Sequence, residues 1–392
     1  RYTEHVFTSN KILPFFNLTK KSTICFGSTI WFCFLVTSKK RKNGIMPKLT
    51  IGMCTYDDFY GTYFTLQSLV LHHRETMKDV DFVVVDNNPE SPHGKETKRF
   101  IEDSLPNGQY IPFTEYQSTA TRNLVFDNAK SPFVLCCDCH VLFPPNTIKR
   151  LIDFYDENPD TLDLYHGPMM WEQMQGRYNL PDGTSMDNLS THMDFTAWRG
   201  GMWGTWDTDP RGGNVDNPPF EIPGHGMGMF SAKKDGWLRF SEQFRQFGGE
   251  EGYIHEKYRQ AGRKVYNLPF LRWMHRFYRP GGAPYALTNK AKVRNYLVGH
   301  MELNLPLDPV INHFCFGKES PADIDIDWVR RNVMMINKET GLALLRIAEV
   351  IGEDKIERMD EDTMYFIIST LNQLNIDKIR NDILLKVLPL KV

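Results

Sequence analysis

Asp138 and His140 stand one residue apart at the end of an apolar run, Phe133 to Cys137. Alternation along a strand puts residues i and i+2 on one face, so this acid and this imidazole can address one ion while Cys139 points away. A carboxylate with an imidazole suits a hard to borderline divalent cation, Mn²⁺ or Mg²⁺. Spacing alone does not separate this from an Asp cap beside a packed histidine. A second acidic pair, Glu250-Glu251, sits at an expected helix start. The helix dipole stabilises carboxylates there, and one of the two can instead serve as a general base on a hydroxyl. His225, His255 and His313 have no comparable context and are expected to be ordinary polar or core histidines.

The elements that must position these groups follow from periodicity. Phe133 to Cys137 has no polar break and predicts a buried strand, which would deliver Asp138 and His140 at the carboxyl end, where ligands sit in open α/β sheets. Pro144 and Pro145 stop it, and Asn146 can cap a helix over Thr147 to Tyr155. Upstream, strands are expected over Lys48 to Thr55, Val80 to Val85 and Tyr110 to Glu115, with helices over Tyr63 to His73, Lys95 to Ser104 and Ser118 to Asn128. Strand and helix alternate four times with short connections. That pattern predicts an α/β fold, a largely parallel sheet flanked by helices.

Periodicity is lost from Met169 to Pro223, a stretch rich in Gly, Pro, Asp, Met and Trp. Loops this long are usually functional or disordered, and Trp171, Trp198, Trp203 and Trp206 argue against plain disorder. Trp203 and Trp206 are expected near an acceptor. Gly224 to Ser231 predicts a return to the sheet. A short helix over Lys234 to Phe240, a helix over Tyr253 to Gln260 stopped at Gly262, and a strand over Lys264 to Leu268 come next. Helical patterns over Trp328 to Ile336, Gly341 to Ile351, Asp362 to Leu374 and Ile376 to Val387 predict a C-terminal helical appendix.

Net charge is −2 over 392 residues, so no global charge attracts nucleic acid. The seven cysteines are an odd number, and Cys136, Cys137 and Cys139 crowd one strand. They are expected to be reduced thiols in a reducing, cytoplasmic compartment. Residues 1–45 look unlike the rest of the chain. Ser22 to Ser38 is apolar but at the short end for a membrane helix, and Lys39 to Lys42 lie directly after it. Two readings stand: a short membrane anchor, or a non-native leader with Met46 as the functional start. Membrane contact is expected only if residues 22–38 are an anchor.

The order of features resembles the GT-A glycosyltransferases. A first strand with a Tyr56-Asp57-Asp58 loop, a second ending in Asp86-Asn87-Asn88, a helix with Arg122-Asn123 and then Asp138-Cys139-His140 are similar to their nucleotide-sugar half. Family 2 carries Asp-x-Asp at this place, whereas the polypeptide N-acetylgalactosaminyltransferases carry Asp-x-His. Glu250-Glu251 with Ile254, Lys257 and Gly262 is similar to the family 2 pattern, and Gly248-Gly249-Glu250 to a Gly-Gly-Glu segment of the polypeptide transferases. In those enzymes a later histidine completes the metal site, and His275 stands in the matching place. Phe247 replaces their Trp, and no Cys-rich lectin domain follows.

The resemblance covers about residues 48–280 and implies a Rossmann-like GT-A domain, placed over 46–300, with a nucleotide-sugar half (46–165) and an acceptor half (166–300); the helical patterns beyond it place an accessory region over 301–392. It implies a metal-dependent hexosyl- or N-acetylhexosaminyltransferase, moving a sugar from a UDP-sugar to a hydroxyl of a glycan, protein or lipid. The metal would be held by Asp138, His140 and His275. Thr55, Tyr56, Asp58, Asp86, Asn87, Arg122 and Asp138 would serve the nucleotide, with Glu250 or Glu251 as the catalytic carboxylate. The metal set and Gly248-Gly249-Glu250 favour retention at the anomeric carbon. Glu251 favours inversion, because the polypeptide transferases carry Asn there. An inverting enzyme with Glu251 as base, or a non-catalytic module binding sugar or a partner, are the alternatives.

Overall fold

Four parallel strands carry one end of the site: β1 (Leu49–Thr55), β2 (Val80–Asp86), β3 (Gly108–Pro112) and β4 (Phe133–Asp138), side by side in the order β3-β2-β1-β4. They belong to a computed structural model that describes residues 46–171, 177–179, 185–187, 189–195, 204–278, 282–317, 324–336, 340–352, 356–374 and 376–387. The leader, with residues 22–38, lies outside the described residues, as do Trp198 and Trp203. No helix among the described residues is long and apolar enough to cross a membrane.

The unbroken apolar strands are buried on both faces. Val83, Val85, Val134 and Cys136 pack into one core, and Phe82, Val84, Leu135 and Cys137 into the other. Alternation at period two sends neighbours to opposite faces. α1 (Phe59–His72), α2 (Pro92–Ser104) and α3 (Asn123–Asn128) form the crossovers. α1 begins at Phe59 rather than Tyr63, because Asp58 caps it: Oδ1 accepts the Gly61 N–H at 2.9 Å. The helix expected from Ser118 is a 3-10 turn over Thr119–Arg122 followed by α3.

After β4 come β5 (Val141–Leu142), α4 (Thr147–Glu157), β6 (Leu164–His166) and β7 (Met169–Trp171). Asn146 holds the N-cap position of α4 at φ 66° but makes no side-chain cap bond. The stretch without periodicity contains short paired strands: β8 (Arg177–Asn179) with β9 (Ser185–Asp187), β10 (Leu189–Ser190) with β7, and β11 (His192–Asp194) with β12 (Thr205–Asp207). Pairs of two or three residues are too short to leave an alternation in the sequence.

β13 (Phe220–Glu221), β14 (Met229–Lys233), α5 (Glu250–Gln260), β15 (Val265–Asn267) and β16 (Trp273–His275) complete the α/β part. The central sheet has eight strands in the order β13-β15-β6-β14-β4-β1-β2-β3, with β14 antiparallel between β6 and β4. A second sheet, β10-β7-β16-β5, stands beside it. α6 (Asn289–Glu302), α7 (Asp308–Phe316), α8 (Ile326–Ile336), α9 (Thr340–Ile351), α10 (Glu361–Gln373) and α11 (Asp377–Val387) follow. Val293, Val310, Phe314 and Val329 of α6 to α8 join one core of the main sheet. α9 to α11 build a smaller core around Ile347, Ile367 and Ile383.

Candidate active site

The register of the sheet sets the site. Thr55 lies opposite Asp86, and Cys54 opposite Asp138, so the carboxyl ends of β1, β2 and β4 open at one edge. Asp138 ends β4 and donates its N–H to the Gly228 carbonyl at 2.8 Å. A Cβ on Gly228 would lie 2.8 Å from the Trp273 ring and 3.2 Å from Asp138 Oδ2, so glycine is needed for this approach. β16 pairs antiparallel with β5, placing His275 opposite Val141 and beside His140.

Three ligand atoms converge there. His140 Nε2 lies 3.2 Å from His275 Nε2 and 3.9 Å from Asp138 Oδ2, and His275 Nε2 lies 3.4 Å from that oxygen. Two imidazoles and a carboxylate within this span form a donor set suited to a borderline divalent ion. Arg122 donates to the other oxygen, Oδ1, at 2.6 Å. Burial would raise the Asp138 carboxyl, but the Arg122 guanidinium and the two histidines hold it well below the usual range. It is therefore ionised at any physiological pH. Arg122 Nε and His275 Nδ1 are buried with no partner among the described residues. Next to Arg122, Asn123 turns inward and accepts from Trp237 Nε1 and from the Phe240 N–H, both at 3.0 Å.

These groups form the floor of a cavity of 530 Å³. Thr55, Tyr56, Asp58 and Asn87 line it as well. Thr55 is held by the Thr62 hydroxyl at 3.1 Å, and Asn87 donates to the carbonyls of Phe113 and Tyr116, each at 2.9 Å. Asp86 does not reach the lining. It is fully buried, with the Asn88 N–H on Oδ1 at 2.9 Å and the Tyr110 hydroxyl on Oδ2 at 2.8 Å. Phe247, Phe277, Tyr278 and Tyr285 also line the cavity. Tyr285 meets Tyr56 edge-on, with ring centroids 6.1 Å apart. No periodicity or motif marked Tyr285.

Glu250 and Glu251 start α5 as expected but do not line this cavity. Glu250 is fully buried, and its Oε2 accepts the Gly248 N–H at 2.8 Å. Burial and the neighbouring Glu251 push its carboxyl up to about 8. Burial also raises Glu251, while Arg122 opposes the shift. Asn295 of α6 fixes the loop before them, donating to the carbonyls of Arg245 and Gly248 at 2.8 and 3.0 Å.

Cys139 is turned toward the site rather than away. Its Sγ lies 3.5 Å from His140 Nδ1 and 3.6 Å from Asp58 Oδ2. Strand geometry ends at Asp138, and the chain turns over Cys139 and His140, so the alternation that would separate them no longer applies. His225 and His255 are core histidines, as expected, and both are fully buried. His255 Nδ1 lies 2.5 Å from the Glu251 carbonyl and so carries the proton for that bond. Its Nε2 then accepts the His225 N–H at 3.3 Å and faces His166 Nε2 at 2.9 Å.

Residues 50–206 match the model of glycosyl transferase family 2. The crystal structure of GalNAc-T7 with UDP, GalNAc and Mn²⁺ is similar at a TM-score of 0.52 and 13% identity, over 77% of this chain and 58% of that one. The fold is that of the GT-A glycosyltransferases. The crystal structure of S. aureus TarS 1-349 gives a TM-score of 0.41 at 12% identity, over 83% of this chain and 80% of that one, too slight a likeness to argue from. No curated protein matches the sequence. The chain spans little more than half the length of the GalNAc-T7 chain. Within the GT-A domain, the family match includes Asp138 and His140 and ends before Gly228, Glu250 and His275.

Proposed function

We propose that the GT-A domain transfers a sugar from a UDP-sugar to an acceptor hydroxyl, using Mn²⁺ or Mg²⁺ held by Asp138, His140 and His275. The observation that carries this reading is the convergence of those three side chains on the floor of a nucleotide-sized cavity. The presence of UDP and Mn²⁺ in the similar GalNAc-T7 structure supports the choice of donor and ion. A divalent ion there supplies positive charge against the negative charge that develops on the departing diphosphate.

The chain's own residues supply the rest. Arg122 is a buried, permanently charged group beside Asp138 and holds that carboxylate in its ionised form. Tyr56, with Tyr285 edge-on beside it, offers a ring face for the base. Thr55, Asp58 and Asn87 offer polar groups to the nucleoside, and Asp86 holds the Asn88 turn and the Tyr110 hydroxyl behind them. Glu250 braces Gly248, which leaves Glu251 as the carboxylate that would serve as base in an inverting reaction. The acceptor is a hydroxyl of a glycan, protein or lipid. Cys136, Cys137 and Cys139, all buried and in no disulfide among the described residues, support a reducing, cytoplasmic setting.

Thermal unfolding with UDP, with Mn²⁺ and with both tests this reading. A ligand that binds only the folded form raises its melting temperature. The expected result is a joint shift larger than the sum of the separate ones. No shift with any nucleotide would favour a module that binds a partner without catalysis.

A further inference from the structure

His140 has two ring nitrogens, and only Nε2 faces Asp138 and His275. Its Nδ1 faces a different pair. Asp58 Oδ2 lies 3.4 Å from Nδ1, Cys139 Sγ lies 3.5 Å from Nδ1, and Sγ lies 3.6 Å from Oδ2. These three separations have the lengths of the edges of a zinc tetrahedron. Zinc bonds of about 2.3 Å to sulfur and about 2.0–2.1 Å to nitrogen and oxygen, at tetrahedral angles, place the ligand atoms about 3.3–3.6 Å apart.

We infer that Asp58, Cys139 and Nδ1 of His140 form a second cation site, selective for a thiophilic divalent ion of the zinc class. The chemistry of the two donor sets differs. Asp138, His140 and His275 offer oxygen and nitrogen only, whereas the second set adds a thiolate, which favours zinc and cadmium over manganese and magnesium. Bound as thiolate, carboxylate and neutral imidazole, the three ligands carry two negative charges and balance the ion. Cys139 is buried and forms no disulfide among the described residues, and Asp58 keeps Oδ1 on the Gly61 N–H while Oδ2 faces the cluster. All three residues line the cavity, which gives an ion a path to them.

The site has a consequence for the proposed transferase, and that consequence rests on the reading above. An ion bound at Nδ1 of a neutral imidazole leaves the ring proton on Nε2, so His140 can no longer offer Nε2 to Mn²⁺ beside Asp138 and His275. Zinc would then weaken the binding of UDP supported by Mn²⁺.

The test is titration of the full, reduced, metal-free chain with Cd²⁺, followed by thiolate-to-metal charge-transfer absorption. One equivalent should develop the band. Cys139→Ser should abolish it and Cys54→Ser should keep it. Asp58→Asn, which still caps α1, should weaken Cd²⁺ binding at least about tenfold, since loss of even an outer-shell partner costs a metal site about 10- to 100-fold. That variant also serves if Cys139→Ser does not fold. No band, or a band unchanged in Cys139→Ser, overturns the site. UDP affinity in Mn²⁺ that is unmoved by Zn²⁺ overturns the competition. Failure of every nucleotide to bind, with the band intact, would sink the transferase reading alone.

Discussion

The Nε2 atoms of His140 and His275 face each other across 3.2 Å, their rings nearly perpendicular at 88°. The antiparallel pairing of β5 with β16 makes this contact between residues far apart in the chain. Two imidazole nitrogens this close share a proton or point their lone pairs at a common cation. Asp138 Oδ2, within 4 Å of both, supplies the negative charge that favours the cation.

Acid should destabilise the fold through the buried histidines. Burial holds His166 well below its usual value, His225 down to about 4 and His255 down to about 3. The folded state therefore binds fewer protons than the unfolded one. Their contribution is fully present above the unfolded value of 6.5 and is lost as pH falls from there toward the folded values. Together they should make stability fall steadily as pH drops below 6.5. Denaturant unfolding between pH 4 and 8 checks this. A midpoint independent of pH below 6 would contradict it.

Glu250 should act in the opposite direction. Its folded value of about 8 exceeds the unfolded 4.5, so its contribution is present below pH 4.5 and lost as pH rises toward 8. Glu250→Gln keeps an acceptor for the Gly248 N–H and removes the ionisation. The variant should gain stability relative to the parent as pH rises from 5 to 8. A constant difference across that range would place the carboxylate in contact with water.

Much of the α/β frame was legible because its strands are unbroken apolar runs. Phe133 to Asp138 and Val80 to Asp86 need no partner to be recognised. α6 escaped, because Val293, Asn295, Tyr296, Leu297, Val298 and His300 are all buried and wrap much of the helix, leaving no clean apolar stripe. In the site, Asp138 and His140 do approach each other, but through the turn that follows β4 rather than through the strand alternation their spacing suggested. The inward turn of Cys139 and the burial of Asp86 were not legible. Both depend on tertiary partners: Asp58 for Cys139, and Tyr110 for Asp86.

Gly228→Ala should harm the site without touching a ligand. Its methyl group would stand 2.8 Å from the buried Trp273 ring and 3.2 Å from Asp138 Oδ2, so one of them must move. A cost of about 1–3 kcal/mol in stability is expected, as for overpacked cores, together with weaker Mn²⁺ binding. Wild-type melting and wild-type Mn²⁺ affinity in this variant would show that the site has slack.

The stereochemical outcome separates the two proposed reaction courses. Product NMR should show the anomeric configuration of the donor retained, and Glu251→Gln should keep turnover within about tenfold, since general base catalysis is typically worth about 10²–10⁴. An inverted product, with turnover in Glu251→Gln lost by orders of magnitude, would make Glu251 the base.

The central claim is that Asp138, His140 and His275 hold the ion that anchors a UDP-sugar. Calorimetric titration of UDP into the full chain, with and without Mn²⁺, measures it directly in the parent and in His275→Ala. The account predicts UDP binding that is strengthened by Mn²⁺ in the parent, and loss of most of that enhancement in His275→Ala, with binding in the absence of metal unchanged. An enhancement of equal size in both proteins would contradict it.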